Sequence, residues 1–238
     1  MIAIYRRWMV VAALVVAACL GIAGAWTVMA GEPAVIIPAP ALDDSKDGAS
    51  GLQTAVVAGG CFWGVQAVYQ HVRGVQSALS GYAGGSRQTA SYEVVSRGGT
   101  GHAESVEIRF DPKELSYGEV LQIYFSVVHD PTQLDRQGPD VGSQYRSSIF
   151  YADESQRRIA EAYIAQLEKS KAFARPIVTR VDALGAFYPA EAYHQDFLLR
   201  HPTNPYIVIN DLPKIENLKK VFPARYREQP VTTTAKTN

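Results

Sequence analysis

Cys61 is the residue whose surroundings most favour chemistry. It follows the pair Gly59-Gly60 and precedes residues 62–72, where apolar residues recur at helical spacing. At the N-terminus of a helix, free backbone N–H groups and the helix dipole stabilise negative charge. We therefore expect this thiol to ionise more readily than a free cysteine, whose pKa is about 8.5. A small, buried and inert cysteine is the alternative, and position alone does not separate the two interpretations.

Two aromatic residues, Phe62 and Trp63, follow the cysteine directly. Neighbouring residues on a helix point about 100° apart, so both rings cannot face the same core. At least one ring is therefore free to line an apolar pocket beside the thiol, which would suit a small apolar group of a substrate. Helix packing is the alternative role, and it remains open for Phe62 above all.

Glu104 begins a segment, residues 104–110, in which charged and apolar residues alternate. In a strand, this alternation places Glu104 on the same face as Val106, Ile108 and Phe110. Burial on that apolar face would raise the pKa of the carboxyl and keep it protonated near neutral pH, as a general acid requires. The alternative is a carboxylate at the strand end, solvated or paired with an arginine, and strand parity alone favours this alternative slightly.

Residues 129–146 form a long stretch without apolar periodicity that is rich in Pro, Gly, Asp and Gln. A loop of this length inside a compact domain is usually functional. Most of its polar residues are expected to form turns or to lie at the surface. Asp140 and Tyr145 belong to this loop.

The histidines do not form a metal-binding pattern. They occur at positions 71, 102, 129, 194 and 201. No two of them have the spacing that places a pair of ligands on one helix face. Glu191 and His194 are three residues apart, but a lone pair of this kind is more often a surface or core contact. The sequence also lacks the glycine loop of a nucleotide-binding motif.

Composition excludes several classes of protein. The chain has 238 residues, 23 basic and 23 acidic side chains, 47% hydrophobic residues and 19% charged residues. That mixture excludes a disordered chain, a collagen-like chain and a disulfide-stapled miniprotein. A formal net charge of zero argues against nucleic-acid binding, which usually requires a basic excess. Cys19 and Cys61 lie in such different surroundings that we expect no structural disulfide.

The start of the chain is expected to direct the protein out of the cytoplasm. Arg6 and Arg7 precede residues 8–30, an uncharged apolar run long enough to cross a bilayer, which needs about 20 residues. The run is a membrane anchor, a signal peptide cleaved after Ala30, or a lipoprotein signal in which Cys19 is lipidated. A plain anchor or signal peptide fits best, and each interpretation places the folded part in the bacterial periplasm or cell envelope.

The rest of the chain is expected to hold one domain. Residues 31–51 lack apolar periodicity and include three prolines, so we predict a flexible linker there. Residues 52–227 have the size of a single domain. The Thr-rich residues 228–238 are predicted to be a disordered tail.

Strands and helices mix in this domain without strict alternation, which is typical of the α+β class. A capping box of Ser116 and Glu119 predicts the start of one helix, and Pro189 is predicted to occupy the first turn of a helix that runs through Leu199. Apolar patterns predict strands over residues 53–58, 75–82, 104–110, 148–151 and 177–184, and helices over 62–72 and 154–169.

Six short motifs, in order along the chain, resemble the signature of the A-type peptide methionine sulfoxide reductases. They are GCFWG at 60–64, GYAGG at 81–85, GHAE at 101–104, HDPTQ at 129–133, GSQYRS at 142–147 and FYPAEAYHQ at 187–195. One motif alone would be a weak signal. The ordered set is highly specific, and the resemblance as a whole runs from about residue 55 to residue 206.

The resemblance implies a fold, a reaction and a set of site residues. The fold would be a single two-layer α+β domain with a mixed sheet flanked by helices, and no cofactor or metal would be needed. The reaction would reduce methionine S-sulfoxide, free or in oxidised proteins and peptides, and leave a sulfenic acid on the nucleophile. We expect the protein to be a monomer. The implied site residues are the nucleophile Cys61, the acid Glu104, their partners Tyr92, Tyr145 and Asp140, and Phe62 and Trp63 at the pocket for the substrate's methyl group.

No cysteine follows Cys61, whereas many members of that family carry resolving cysteines near the C-terminus. The resemblance therefore implies a single-cysteine cycle, in which an external thiol or a thioredoxin-like protein reduces the sulfenic acid. Cys19 lies in the apolar run and is not expected to reach the site.

Two other functions are compatible with a reactive or buried Cys61. In a cysteine peptidase or a related acyl-transfer enzyme, His102 or His194 would activate the thiol, but such an enzyme has little use for a protonated Glu104. In a non-catalytic, membrane-tethered binding domain, Cys61 would be buried and unreactive. The six ordered motifs favour the reductase over both.

Overall fold

A computed structural model describes residues 31–44 and 51–233 of the chain. Within these residues the main strands are β1 (Gln53–Gly59), β2 (Val75–Ala83), β3 (Ala103–Phe110), β6 (Ser147–Tyr151), β7 (Arg180–Ala183) and β8 (Phe187–Pro189), and a small hairpin is made by β4 (Arg136–Gln137) and β5 (Asp140–Val141). The main strands form one sheet in the order β7-β6-β1-β3-β2-β8. Its neighbours are antiparallel except β6 and β7, so the sheet is mixed.

Helices pack against this sheet and complete the α+β architecture that the sequence predicts. They are α1 (Phe62–Gln70), α2 (Tyr92–Val95), α3 (Tyr117–Ile123), α4 (Glu154–Lys169), α5 (Phe197–Arg200) and α6 (Leu212–Val221). A wider turn of π-helix, Tyr124–Val128, continues α3, and a second one, Ile207–Asp211, leads into α6.

Local signals place several of these elements correctly. The predicted capping box is present, because the Ser116 hydroxyl accepts from the Glu119 N–H group and the Glu119 carboxylate accepts from the Ser116 N–H group. Helix α4 has the predicted bounds, since Asp153 caps its first turn by accepting from the Gln156 N–H group. Strand β7 is shorter than the predicted strand over 177–184.

The helix predicted to begin at Pro189 is wrong. Residues Phe187–Pro189 form β8 instead, an edge strand in which Pro189 lies opposite Gly81 of β2. Proline is tolerated at a sheet edge because its missing N–H group removes no interior ladder bond. The chain then makes only a short 3-10 turn, Ala192–His194, before α5.

Strand β1 carries the backbone to the catalytic candidate Cys61 through the middle of the sheet. Its Ala55 and Val57 belong to the large core that includes Phe62 of α1, whereas its Val56 and Ala58 belong to a smaller core on the other face. Alternate strand residues point to opposite faces, so burial of both faces explains the continuous apolar sequence. The position at which β1 ends is therefore held by packing on two sides.

The flexible linker predicted over residues 31–51 is wrong for its described part. Residues 31–44, here called the N-terminal strap, lie along α3, its π-helical continuation and α4. The Val35 N–H group donates to the Ser126 carbonyl at 2.9 Å, and the Tyr163 hydroxyl donates to the Pro38 carbonyl at 2.7 Å. Ile37 is only 6% exposed. Hydrogen bonds to other elements hold the strap in place. It therefore needs no apolar repeat of its own, and its sequence shows none.

The predicted disordered tail is also docked over its described part. The Val231 N–H group donates to the Gln70 carbonyl at 3.0 Å, and the Thr233 hydroxyl donates to Asp196 at 2.7 Å. Residues 228–233 therefore belong to the folded domain.

Among residues 31–44 and 51–233, no helix has the length and apolar character needed to cross a membrane. The predicted anchor or signal peptide, its cleavage after Ala30 and the lipidation of Cys19 all concern residues that lie outside the described part of the chain.

A pair of neighbouring isoleucines tests whether the strap contributes to stability. Ile37→Ala removes a buried side chain and should lower the free energy of unfolding by about 2–4 kcal/mol. Ile36 is 86% exposed, so Ile36→Ala is the matched control and should change that free energy by less than about 0.5 kcal/mol. Urea unfolding of the full chain measures both, and equal effects of the two substitutions would contradict the packed strap.

Candidate active site

Cys61 lies where β1 turns into α1, at the N-cap position of that helix. The turn requires glycine at position 60, whose φ is +87°, and where a Cβ atom would come within 2.6 Å of the Gln137 side chain. Gly60 thus lets the backbone pass under Gln137 and present Cys61 at the start of the helix. The helix N-terminus predicted for this cysteine is confirmed.

The predicted ready ionisation of the thiol is wrong for the resting protein. Cys61 is 9% exposed, and burial raises the pKa of its thiol well above the ordinary value, with further increases whenever the nearby Glu104 and Asp211 carboxyls are ionised. The backbone N–H group of Trp63 acts in the opposite direction, as a helix N-terminus should, but its effect is smaller. Cys61 therefore rests as a protonated thiol.

Glu104 is buried on the apolar face of β3, so the structure decides between the two interpretations of this residue. It is 3% exposed and lies opposite Tyr82 of β2. The Phe62 N–H group, next to Cys61, donates to its carboxyl at 3.1 Å. Burial raises the pKa of Glu104 to about 8 despite that hydrogen bond. At neutral pH the group is mostly a protonated acid beside the thiol.

The two predicted tyrosines face the same group of residues. Burial raises the pKa of Tyr92 and of Tyr145, and Glu104 and Cys61 lie near enough that their ionisation would raise both pKa values further. Both phenols therefore keep their protons and can donate hydrogen bonds. The backbone N–H group of Tyr92 donates to Glu191 at 2.9 Å, which fixes the start of α2.

Asp140, the third predicted partner, begins β5 and accepts a hydrogen bond from the Tyr206 hydroxyl at 2.5 Å. Burial raises the pKa of Asp140, and the Tyr206 hydrogen bond offsets part of that shift. Sequence analysis missed Tyr206, because it follows the last of the six motifs and has no signal of its own. Cys61 and Asp140 both lie close enough to contribute to the raised pKa of Tyr206. Tyr206 therefore belongs to the same site.

Phe62 and Trp63 occupy different environments, as two neighbours on a helix must. Phe62 is 1% exposed and packs near the rings of Tyr82 and His194. Trp63 is partly buried and stacks on Phe197 with ring centroids 3.7 Å apart. Trp63 is thus the more exposed of the two residues, and the contribution of Phe62 to a methyl pocket stays a prediction.

His194 supports the aromatic wall. Its Nδ1 atom accepts a hydrogen bond from the Trp63 Nε1–H group at 3.1 Å, so Nε2 must carry the proton of the neutral ring. The other rival base, His102, has Nε2 at 2.9 Å from the Ser86 carbonyl and therefore donates there. Among the hydrogen bonds of the described residues, neither histidine is a partner of Cys61, which disfavours a peptidase-like Cys–His pair.

A buried ion pair that sequence analysis missed lies under the start of α1. Asp211 is completely buried, and its carboxylate lies 3.3 Å from the Lys214 ammonium. Burial raises the pKa of Asp211 to about 6, and Lys214 offsets part of that shift. Gly64 makes the approach of this pair possible, since a Cβ atom there would come within 2.1 Å of the Asp211 carboxylate.

A small pocket of about 30 Å³ opens beside the thiol. Its lining includes Gly31, Glu32, Cys61, Asp140, Tyr206 and Lys214. A larger depression of about 360 Å³, near Leu167 and Phe173, contains none of the predicted site residues. Because Cys61 and Asp140 line it together with Tyr206, we take the small pocket as part of the candidate active site. Glu104, Tyr92 and Tyr145 are not among the residues that line it.

Comparison with known proteins agrees with this geometry. Residues 53–226 match the family model described as peptide methionine sulfoxide reductase. The chain is 58% identical over 190 residues, 80% of its length, to the peptide methionine sulfoxide reductase MsrA 2 of Mesorhizobium japonicum, of which it covers 97%. It is also 47% identical over 175 residues to MsrA of Thermus thermophilus. The aligned region covers 74% of this chain and 98% of that protein.

Solved structures of related proteins have a similar fold. Methionine sulfoxide reductase A of Corynebacterium diphtheriae superimposes with a TM-score of 0.56 at 31% identity, over 74% of this chain and 88% of that one. The reduced form of Mxr1 from Saccharomyces cerevisiae gives a TM-score of 0.57 at 30% identity, over 64% of this chain and 87% of that one.

The raised pKa of Glu104 predicts a pH-dependent cost in stability. A carboxyl whose pKa is higher in the folded state stabilises the protein only while protonated, so its contribution is lost as pH rises from about 4.5 through about 8. Glu104→Gln should therefore be more stable than the wild type at pH 9 by roughly 3–5 kcal/mol, with little difference at pH 4. Urea unfolding of both proteins at several pH values measures this, and a difference that does not vary with pH would rule out the raised pKa.

Proposed function

The chain belongs to the A-type peptide methionine sulfoxide reductases, oxidoreductases that reduce methionine S-sulfoxide to methionine and so repair oxidised proteins, and we propose that Cys61 and Glu104 perform this reaction in it. The observation that carries the proposal is a buried, protonated carboxyl held next to a buried thiol at a helix N-terminus. A nucleophile and an acid held next to each other suit a reaction in which one bond forms as another breaks.

In the proposed step, the Cys61 sulfur attacks the sulfoxide sulfur while Glu104 gives its proton to the sulfoxide oxygen. The methionine sulfur is reduced by two electrons and the cysteine sulfur is oxidised by two. The attack forms a bond between Sγ of Cys61 and the sulfoxide sulfur. That bond and the original S–O bond then break as the hydroxyl passes to Sγ, which leaves methionine and a Cys61 sulfenic acid, and the proton lost by the thiol restores Glu104. Because the thiolate is the nucleophile and the resting Cys61 thiol is protonated, Cys61 must lose its proton as the attack takes place.

Hydrogen-bond donors are needed where negative charge develops on the sulfoxide oxygen. Tyr92 and Tyr145 keep their protons because burial raises their pKa values, and both lie near Cys61 and Glu104. We assign them to hold the oxygen while the proton is transferred. Asp140, fixed by Tyr206, completes the polar side of the pocket.

The partly exposed ring of Trp63 is proposed to contact the S-methyl group of the substrate. Phe197 and His194 hold that ring in place by stacking and by a hydrogen bond. If Trp63 contacts the methyl group on one side of the sulfur and the tyrosines bind the oxygen on the other, only one sulfoxide epimer would fit. Separate enzymes are known to act on the two epimers.

Recycling of the sulfenic acid is proposed to need a thiol from outside the chain, either a small thiol or a thioredoxin-like protein. No cysteine follows Cys61 in the sequence, and Cys61 is a free cysteine in the structure. Because residues 62–238 contain no cysteine, no disulfide can form between Cys61 and a residue of that stretch.

We also propose that the protein acts outside the cytoplasm. The uncharged residues 8–30 after Arg6 and Arg7 support export or anchoring. N-terminal sequencing of the protein isolated from cells, with a membrane-fractionation assay, distinguishes a cleaved signal from a retained anchor.

A single turnover on separated sulfoxide epimers tests the proposed function. With one equivalent of methionine S-sulfoxide and no reductant, the full chain should yield about one equivalent of methionine and a 16 Da increase on Cys61, since the oxygen is transferred to that sulfur. The R epimer should yield neither product, and mass spectrometry with methionine analysis measures both. Methionine formation by Cys61→Ser at the wild-type rate would refute the role of Cys61.

A further inference from the structure

The N-terminal strap begins at the active site. The family model matches residues 53–226, so the strap, residues 31–44, lies outside the part that this chain shares with the model. Nevertheless its first two residues, Gly31 and Glu32, line the pocket that contains Cys61. An element outside the common domain thus forms one wall of the site.

Glu32 joins this wall to the loop that follows α3. Its carboxylate accepts hydrogen bonds from the side-chain amides of Gln133 and Gln137, each at 2.5 Å. Its backbone carbonyl accepts from the Asn217 side chain of α6 at 3.0 Å. Glu32 is therefore held on α6 and in turn holds two glutamines of the loop.

The two glutamines determine the position of the β4–β5 hairpin. Gln137 is 5% exposed, lies over Gly60 and pairs with Asp140 in the hairpin. The Gln133 side chain accepts from the Gly138 N–H group at the turn of the hairpin, at 2.9 Å. A single carboxylate consequently connects the strap to the residue above the nucleophile and to the hairpin that carries Asp140.

We propose that Glu32 is a positioning residue of the reductase, which clamps the β4–β5 hairpin over Cys61 and thereby places Asp140 and Tyr206 at the pocket. The proposal rests on the proposed function of Cys61. Without the carboxylate, the buried Gln137 amide would lose its acceptor, and the hairpin would open more often. Opening would expose the thiol and displace the polar side of the pocket at the same time.

The experiment compares Glu32→Gln and Glu32→Asp with the wild-type full chain. Gln keeps the size of the side chain but replaces the carboxylate that both amides require. Asp keeps the charge but is one methylene shorter, so it should not reach both glutamines. Glu161 lies on the exposed face of α4 and pairs with Arg157. Glu161→Gln is therefore the matched control for loss of a carboxylate.

Three measurements are made on each protein, namely hydrogen exchange over residues 133–142, the rate of Cys61 alkylation by iodoacetamide, and kcat/KM for methionine S-sulfoxide with dithiothreitol. Both Glu32 variants should show faster exchange confined to this segment, alkylation about tenfold faster and kcat/KM about tenfold lower, whereas the control should match the wild type. A general loss of stability would speed exchange throughout the domain, which distinguishes it from opening of the hairpin.

Unchanged exchange over residues 133–142 together with unchanged alkylation in both variants would overturn the clamp. Faster alkylation in Glu32→Gln alone would also overturn it, because removal of a negative charge near the thiol would then suffice. If the wild type reduced no methionine sulfoxide, the proposed function would fail, while exchange and alkylation would still decide whether Glu32 holds the hairpin.

Discussion

The active site depends on the burial of one carboxyl group beside one thiol. Glu104 lies inside the sheet, where the Phe62 N–H group donates to its carboxyl, and burial raises its pKa to about 8. The same burial, with Glu104 as a neighbour, keeps the Cys61 thiol protonated. A carboxyl that would be ionised in water is thus stored in its neutral form beside a neutral thiol, and the proton that the reaction needs is already next to the nucleophile.

The fold holds this unfavourable arrangement in place by packing on all sides. Strand β1 is buried on both faces and ends at Gly59, so Cys61 cannot move away from the sheet. The Asp211–Lys214 pair lies against Gly64 in the first turn of α1. The strap and the β4–β5 hairpin close the remaining side. Packing of the surrounding core, whose contacts do not involve the charge of Glu104, therefore offsets the free-energy cost of burying this carboxyl.

Sequence reasoning succeeded where a local signal determines the structure. Helix α4 has the predicted bounds because Asp153 caps it, and the alternation over residues 104–110 correctly placed Glu104 among Val106, Ile108 and Phe110. It failed where distant segments decide. The thiol pKa depends on Asp211, which is 150 residues away along the chain, and the strap is held by side chains such as Tyr163 of α4. Neither effect leaves a pattern in the neighbouring sequence.

The most direct test of the stored proton is the single-turnover rate of Glu104→Gln, with enzyme in excess over methionine S-sulfoxide and without reductant. Glutamine fills nearly the same space and can still accept from the Phe62 N–H group, but it has no acidic proton. We expect the rate of methionine formation to fall about 10²–10⁴-fold, while the affinity for the substrate stays close to that of the wild type. A rate equal to that of the wild type would contradict the assignment of Glu104 as the acid.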